Sequence, residues 1–181
     1  MTDIELLRRV RHGDEQAFHE LVDRHADHLF GVAYSLVGNA ADAEDVVQET
    51  LAAAFRGVSG FREQASVKTW LLRILVRQCA RVHRGRFRDR VIRLTDNDPS
   101  PLKEDEGMTI ASSAVQADAR LDVSEMLSEL SPEHREVIVL RELEGFSYEE
   151  MAQTLGVPQG TVESRLHRAR AELRQRFKGY L

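Results

Sequence analysis

The stretch "SYEEMAQTLGVPQGTVESRLHRARAELRQRF", residues 147–177, restricts the fold more tightly than any other part of the chain. Ser147 followed by Glu150 is a capping-box signature, in which side chain and backbone satisfy each other at a helix start. Gly156 ends that helix, because a left-handed terminal residue is most easily a glycine. A second helix starts near Pro158, and on it Val162, Leu166, Ala169, Leu173 and Phe177 recur at the spacing of a buried stripe. Helix, tight glycine turn and second helix make a helix-turn-helix, with Ala152, Gly156 and Val162 as the small, turning and buried residues that close helix packing needs.

Rotation by about 100° per residue puts Gly160, Ser164, His167 and Arg168 on the face opposite that stripe, with Thr161 close by and Arg165 and Arg170 on the two shoulders. Short side chains near the N-terminal end let such a helix approach base edges. A donor such as Arg168 can read guanine, and shoulder arginines can hold phosphates. The plain alternative is a solvated basic face. Glu163 runs against the DNA reading, since a carboxylate repels phosphate, although it can accept a bond from cytosine.

A basic reading helix sits oddly in a chain of 181 residues with a formal net charge of −5. Charge is not spread evenly: residues 1–90 carry +1, residues 91–125 carry −5 and residues 126–181 carry −1. The middle supplies the deficit. Its "TDNDPSPLKEDEG" joins turn formers, two prolines and acids with almost nothing to bury, and so reads as a flexible acidic linker. The expected organisation is all-α: a domain over 1–90, a linker over 91–117 and a domain over 118–181. Abundant Ala, Leu, Glu and Arg with few aromatics favours helices over strands. Cys79 is the only cysteine, no secretion signal opens the chain, and no apolar run is long enough for a bilayer, so no membrane insertion and a cytoplasmic location are expected.

Within the first domain, Asp14 caps a helix that runs to Gly38, a second helix covers about 41–56, and Ser66 caps a third with the apolar stripe Val67, Leu71, Ile74, Leu75 and Val82, interrupted by Gln78. Arg73, Arg77, Arg81, Arg84 and Arg88 fall on one side of the third helix, bordered by Trp70. Basic side chains beside an aromatic suit single-stranded nucleic acid. Trp70 fits equally a core anchor. On the second helix Asp42, Asp45 and Glu49 lie away from the apolar residues and form an acidic ridge, or else a solvated helix surface. In the last domain Ser131, Pro132 and Gly145 delimit one more helix before the helix-turn-helix.

The segments "AFHELVDRHADHLFGVAYSLVGNAADAEDVVQETLAAAF", "GFREQASVKTWLLRI" and "LSPEHREVIVLRELEGFSYEEMAQTLGVPQGTVESRLHRARAELR" together resemble the extracytoplasmic-function (ECF) sigma factors of bacterial RNA polymerase, which keep only sigma regions 2 and 4. The resemblance covers nearly everything except the linker. It implies that Asp42, Asp45, Gln48 and Glu49 dock on the clamp helices of core RNA polymerase. It implies that the loop 60–65 and the following helix, with Phe61, Lys68, Trp70, Arg73, Arg77, Arg81 and Arg84, capture and open the minus-ten promoter element. It implies that Thr161, Ser164, Arg165, His167 and Arg168 read the minus-thirty-five element. Core RNA polymerase and promoter DNA are the implied partners, with an anti-sigma factor as an optional third. Arg77 and Arg81 stand where the family often has asparagine and aspartate, and Glu163 where it often has a basic residue, so promoter sequence is the least transferable part of the resemblance.

Two other classes compete. An autonomous helix-turn-helix regulator needs a dimer interface or a sensor domain, and no spare segment is evident for either. An enzyme would have to use pairs such as Cys79 and His83, one helical turn apart, or His25 and His28, and neither pair has the further ligands a catalytic or metal site requires. No catalytic residue, metal site or cofactor is expected.

Overall fold

Local capping decides where most of the described helices begin. The computed structural model describes residues 1–95 and 123–177, with side chains between 86 and 95 excepted. Helix α1 (Asp3–Arg11) opens on a capping box, with Thr2 Oγ1 accepting from the Glu5 N–H at 3.3 Å and the Glu5 carboxylate accepting from the Thr2 N–H at 2.7 Å. Helix α2 (Glu15–Val37) starts where the Asp14 carboxylate accepts from the Ala17 N–H, and stops at Gly38, whose φ of 83° a side-chained residue adopts only with strain. Asn39 caps α3 (Ala40–Gly57), and after a single 3-10 turn (Val58–Gly60) the Ser66 hydroxyl accepts from the Thr69 N–H at 3.0 Å and opens α4 (Val67–Thr95). The second unit comprises α5 (123–128), α6 (Pro132–Ile138), a π-helical turn (Val139–Leu143), α7 (Tyr148–Leu155) and α8 (Gln159–Arg176). No strand occurs among the described residues.

Helices α2, α3 and α4 pack pairwise around Leu29, Ala33, Leu36, Ala43, Leu72 and Leu75, and α1 closes the bundle with Leu6, Leu7 and Val10. Helix α1 also fixes the loop before α4. Arg8 grips Glu63 with two bonds, Nε at 3.1 Å and Nη2 at 2.8 Å, while Arg11 donates to the carbonyls of Val58 and Phe61. Glu63 has a φ of 55°, so this tether holds the loop in a conformation that its sequence does not favour.

In the second unit α6 and α7 pack on α8 around Val137, Leu140, Met151, Val162, Leu166 and Ala169. Unlike an ordinary surface helix, α6 and the turn after it bury six consecutive residues, Arg135 to Leu140. A helix buried all round lies between two bodies. One is α8, and the other is α2 of the first unit, while α7 rests on α4. The two units, separate in sequence, are therefore docked. The structure also extends the third helix of the first unit through residue 95, so the linker expected from 91 begins inside α4; its remainder, from 96 on, lies outside the described residues.

Candidate functional site

Three surfaces gather the residues that the sequence singles out. On α8 the buried stripe is Val162, Leu166 and Ala169, and the opposite face carries Ser164, His167 and Arg168, all exposed. His167 and Arg168 make no hydrogen bond or ion pair among the described residues, so their donors point outward uncommitted. Thr161 and Arg165 are half-buried. Two other arginines of this helix are already occupied. Arg170 holds Glu142 at 2.5 Å, and Arg176 bridges Glu129 at 2.5 Å and Glu172 at 3.0 Å. Glu163 is drawn sideways by Gln159, whose amide donates to it at 3.1 Å.

On α3 the residues Asp45, Gln48 and Glu49 are exposed, and Asp42 is half-buried at the helix start, where Asn39 bonds its carboxylate. Glu49 pairs with Arg56 at 2.8 Å across open surface, a contact of small net worth. The same stripe continues through Ala52 to Phe55, which is 46% exposed and sets its ring edge-on against Phe18. These two rings, Ala52, Glu15 and His19 line a shallow cleft of about 260 Å³. Sequence reasoning missed Phe55; an aromatic one step off the apolar stripe of α3 was the available signal.

The third surface is the basic side of α4. Arg77, Arg81 and Arg84 are exposed and line a cleft of about 270 Å³, closed on its far side by Glu136, Thr154 and Leu155 of the second unit. Arg73 is half-buried, and its Nε has no hydrogen-bond partner among the described residues. Lys68 reaches Glu144 at 3.1 Å. Trp70 is half-buried with its ring 5.1 Å from that of Phe61. Phe61 itself is only 6% exposed, so in this arrangement it supports Trp70 from the core and presents no ring to a base.

Residues 21–89 match the family model "Sigma-70 region 2" and residues 120–173 match "Sigma-70, region 4". The ECF RNA polymerase sigma factor SigM of Mycobacterium tuberculosis is 35% identical over 99% of this chain and 86% of its own length. SigE of Mycolicibacterium smegmatis, another ECF RNA polymerase sigma factor, is 38% identical over 90% of this chain, which spans 63% of that longer relative. The chain belongs to the ECF sigma factors. Two solved structures share its fold: CnrH in complex with the cytosolic domain of CnrY (TM-score 0.67, 28% identity, 99% of both chains), and the sigma factor RpoE in complex with the anti-sigma factor NepR from Bartonella quintana (TM-score 0.66, 30% identity, 91% of this chain and 98% of that one).

The region 2 match thus falls on α2 to α4 and the region 4 match on α5 to α8. The autonomous regulator is not favoured, because the first unit is itself a sigma region. Buried Cys79 has no place in a chemical reading: burial, with Glu136 and Asp42 nearby, pushes its thiol up to about 12, and a thiol that stays protonated is a poor nucleophile.

Glu136 lies at the seam between the regions. Burial raises its carboxyl from the ordinary 4.5 to about 7, opposed by Arg165 and Arg84 and reinforced by Glu133. The folded protein therefore holds this proton more tightly than the unfolded chain. The resulting stability is fully present below pH 4.5 and is lost as pH rises through about 7. Between pH 5 and 8 the wild-type protein should lose about 2–3 kcal/mol from this group. Glu136→Gln should flatten that slope, as read from urea midpoints across the pH range. An unchanged slope in the variant would assign the pH dependence to other groups.

Proposed function

We propose that this sigma factor binds core RNA polymerase through α3 and directs it to promoters through α4 and α8. The carrying observation is that one chain presents two outward faces of opposite character: an acidic ridge of Asp45, Gln48 and Glu49 on α3, and on α8 an exposed face of Ser164, His167 and Arg168 in which the His167 and Arg168 donors are uncommitted among the described residues. A net charge of −5 is no obstacle, because the polymerase supplies much of the attraction for DNA and local faces do the reading. Asp42 contributes charge from the helix start, and Phe55 adds an apolar end to the ridge. Lys68, Trp70, Arg73, Arg77, Arg81 and Arg84 receive the opened minus-ten strand. The region 2 unit spans 1–90 and the region 4 unit 118–181, with the linker between them.

The protein acts by binding, not by catalysis, and works in the cytoplasm alongside its polymerase; no helix among the described residues is long and apolar enough to cross a membrane. An anti-sigma factor is a natural further partner, since CnrH and RpoE were both solved with a protein bound. Transcription in vitro with core polymerase on a promoter library tests the whole reading. Selective starts that require this protein are expected, and starts unaffected by its presence would overturn the proposal.

Readout and positioning on α8 separate in the same assay. Arg168→Ala should cost about 1–3 kcal/mol at one or two base positions and relax the preference there. Arg165→Ala should weaken all upstream elements about equally and reduce the salt dependence. Identical sequence profiles for Arg168→Ala and the parent would remove Arg168 from the reading face.

A further inference from the structure

Helix α1 precedes residues 21–89, the segment that matches region 2, yet it is the element that grips the loop leading into α4. Arg8 and Arg11 are three residues apart and so share one face of the helix. Arg8 takes both oxygens of the Glu63 carboxylate, Nε donating to Oε1 at 3.1 Å and Nη2 to Oε2 at 2.8 Å. Arg11 donates from Nε to the Val58 carbonyl at 3.0 Å and from Nη2 to that of Phe61. The bond from Arg8 holds the Glu63 carboxyl below its ordinary value, so the pair is ionised at neutral pH. Behind these two arginines α1 is well anchored. Leu6, Leu7 and Val10 are buried in the bundle, and Asp3 meets two side chains of α2, Arg24 at 3.0 Å and His25 at 2.8 Å.

The tether falls on alternate residues of the loop. The Phe61 carbonyl and the Glu63 side chain are drawn to α1, and Glu63 is held at a φ of 55°, a region that a side-chained residue enters only with strain. Arg62 and Gln64 are left exposed, and neither makes a hydrogen bond or ion pair among the described residues. With its carbonyl pinned, Phe61 stays 6% exposed and keeps its ring 5.1 Å from that of Trp70. An exposed ion pair gives little stability, but a forked one fixes geometry. Without the fork, Glu63 is free to leave the strained region and the loop to change shape.

We infer that Arg8 and Arg11 of α1 are positioning residues for minus-ten recognition, holding the loop in the shape that presents Arg62 and Gln64 to the opened strand and keeps Phe61 against Trp70. The inference rests on the reading of this loop and α4 as the minus-ten surface. Neither arginine of α1 meets DNA in this arrangement; each acts through the loop. Loss of the tether therefore blurs sequence preference, whereas loss of a phosphate contact weakens every promoter alike.

The test uses the full chain, whose one tryptophan is Trp70. Arg8→Glu turns the fork into a repulsion against Glu63 and should raise the acrylamide quenching of Trp70 fluorescence as Phe61 leaves its ring. Both side chains of the pair are exposed, so folding is spared. In transcription with core polymerase on a library randomised at the minus-ten element, discrimination between strong and weak sequences should fall about tenfold, the worth of roughly one correctly read base. Competition for core polymerase and the minus-thirty-five profile should stay as in the parent. Adding Glu63→Arg restores the pair with its signs exchanged, and should return both the quenching and the minus-ten profile toward the parent. An unchanged minus-ten profile in Arg8→Glu would overturn the inference. So would a loss that is uniform across sequences and not rescued by the exchange, the mark of a direct phosphate contact. Arg62→Ala with Gln64→Ala checks the underlying reading separately: an unchanged profile in that variant would take the loop out of minus-ten recognition, and the positioning role would fall with it.

Discussion

Reversing Asp45 and Glu49 to lysine is expected to weaken binding to core RNA polymerase by about 100-fold or more, close to 3 kcal/mol. Both side chains stand exposed on α3, on the side turned away from the packing residues Ala43, Val46 and Val47. A carboxylate that meets a cation across an interface contributes a favourable contact, whereas a lysine in its place is repelled, so reversal costs more than deletion. At position 49 the new charge would also face Arg56, which now holds the Glu49 carboxylate. Folding should change by less than about 0.5 kcal/mol, because neither site is buried and neither caps a helix. Competition against a labelled sigma factor at moderate salt gives the affinity, and urea unfolding gives the stability. Undiminished competition by the doubly reversed variant would remove the ridge from the polymerase interface. Phe55→Ala offers an independent check on where that interface ends, since an apolar contact there would be lost without a change in salt dependence.

The helix ends were legible in the sequence because capping is local. Asp14, Ser66, Ser131 and the pair Ser147 and Glu150 cap where their spacing says they should, and Gly38 and Gly156 both adopt the left-handed conformation that terminates a helix. Helix α1 obeys the same rule through Thr2 and Glu5. The phase of α8 was likewise readable, since Val162, Leu166 and Ala169 must face inward together and that fixes where Ser164, His167 and Arg168 point.

The docking of the two regions was not legible, for a different reason. In "HREVIVL" the apolar run announces burial but not against what, and the sequence places no limit on which distant helix will meet it. Glu144 reads as one more surface acid after Leu143, because the π turn that aims it inward leaves no signature in residue spacing. Phe61 shows the converse difficulty. An aromatic in a loop beside basic residues suggests a stacking platform, but its burial follows from Arg11 and Arg8 of α1 pulling the loop down onto the bundle, contacts 50 or more residues apart in sequence. Exposed faces that depend on helical phase were therefore readable, and contacts between distant elements were not.

Arg135→Ala is expected to produce the largest loss of stability of any single substitution considered, about 4 kcal/mol. Arg135 is 9% exposed, and no carboxylate pairs with it among the described residues. Instead it donates to four main-chain carbonyls: Leu127 at 2.7 Å, Ser128 at 2.9 Å, Leu130 at 3.3 Å and Leu36 at 3.0 Å. Three of these acceptors lie at and beyond the end of α5 and the fourth near the end of α2, where carbonyls have no partner within their own helix and carry the negative end of the helix dipole. One cation thus closes the end of α5 and joins the two regions. Truncation leaves buried acceptors unsatisfied and removes the join at once, while burial already lowers the pKa of the guanidinium from its ordinary value, a sign of what its desolvation costs. Arg135→Lys should recover little, since three donors on a point charge cannot span acceptors laid out for a planar fork. The unfolding curve carries a second readout. Docked regions should melt in one cooperative transition, and Arg135→Ala should split it in two, with region 4 unfolding first. A variant that unfolds within about 0.5 kcal/mol of the parent, in a single step, would show that these four bonds neither stabilise region 4 nor hold it against region 2.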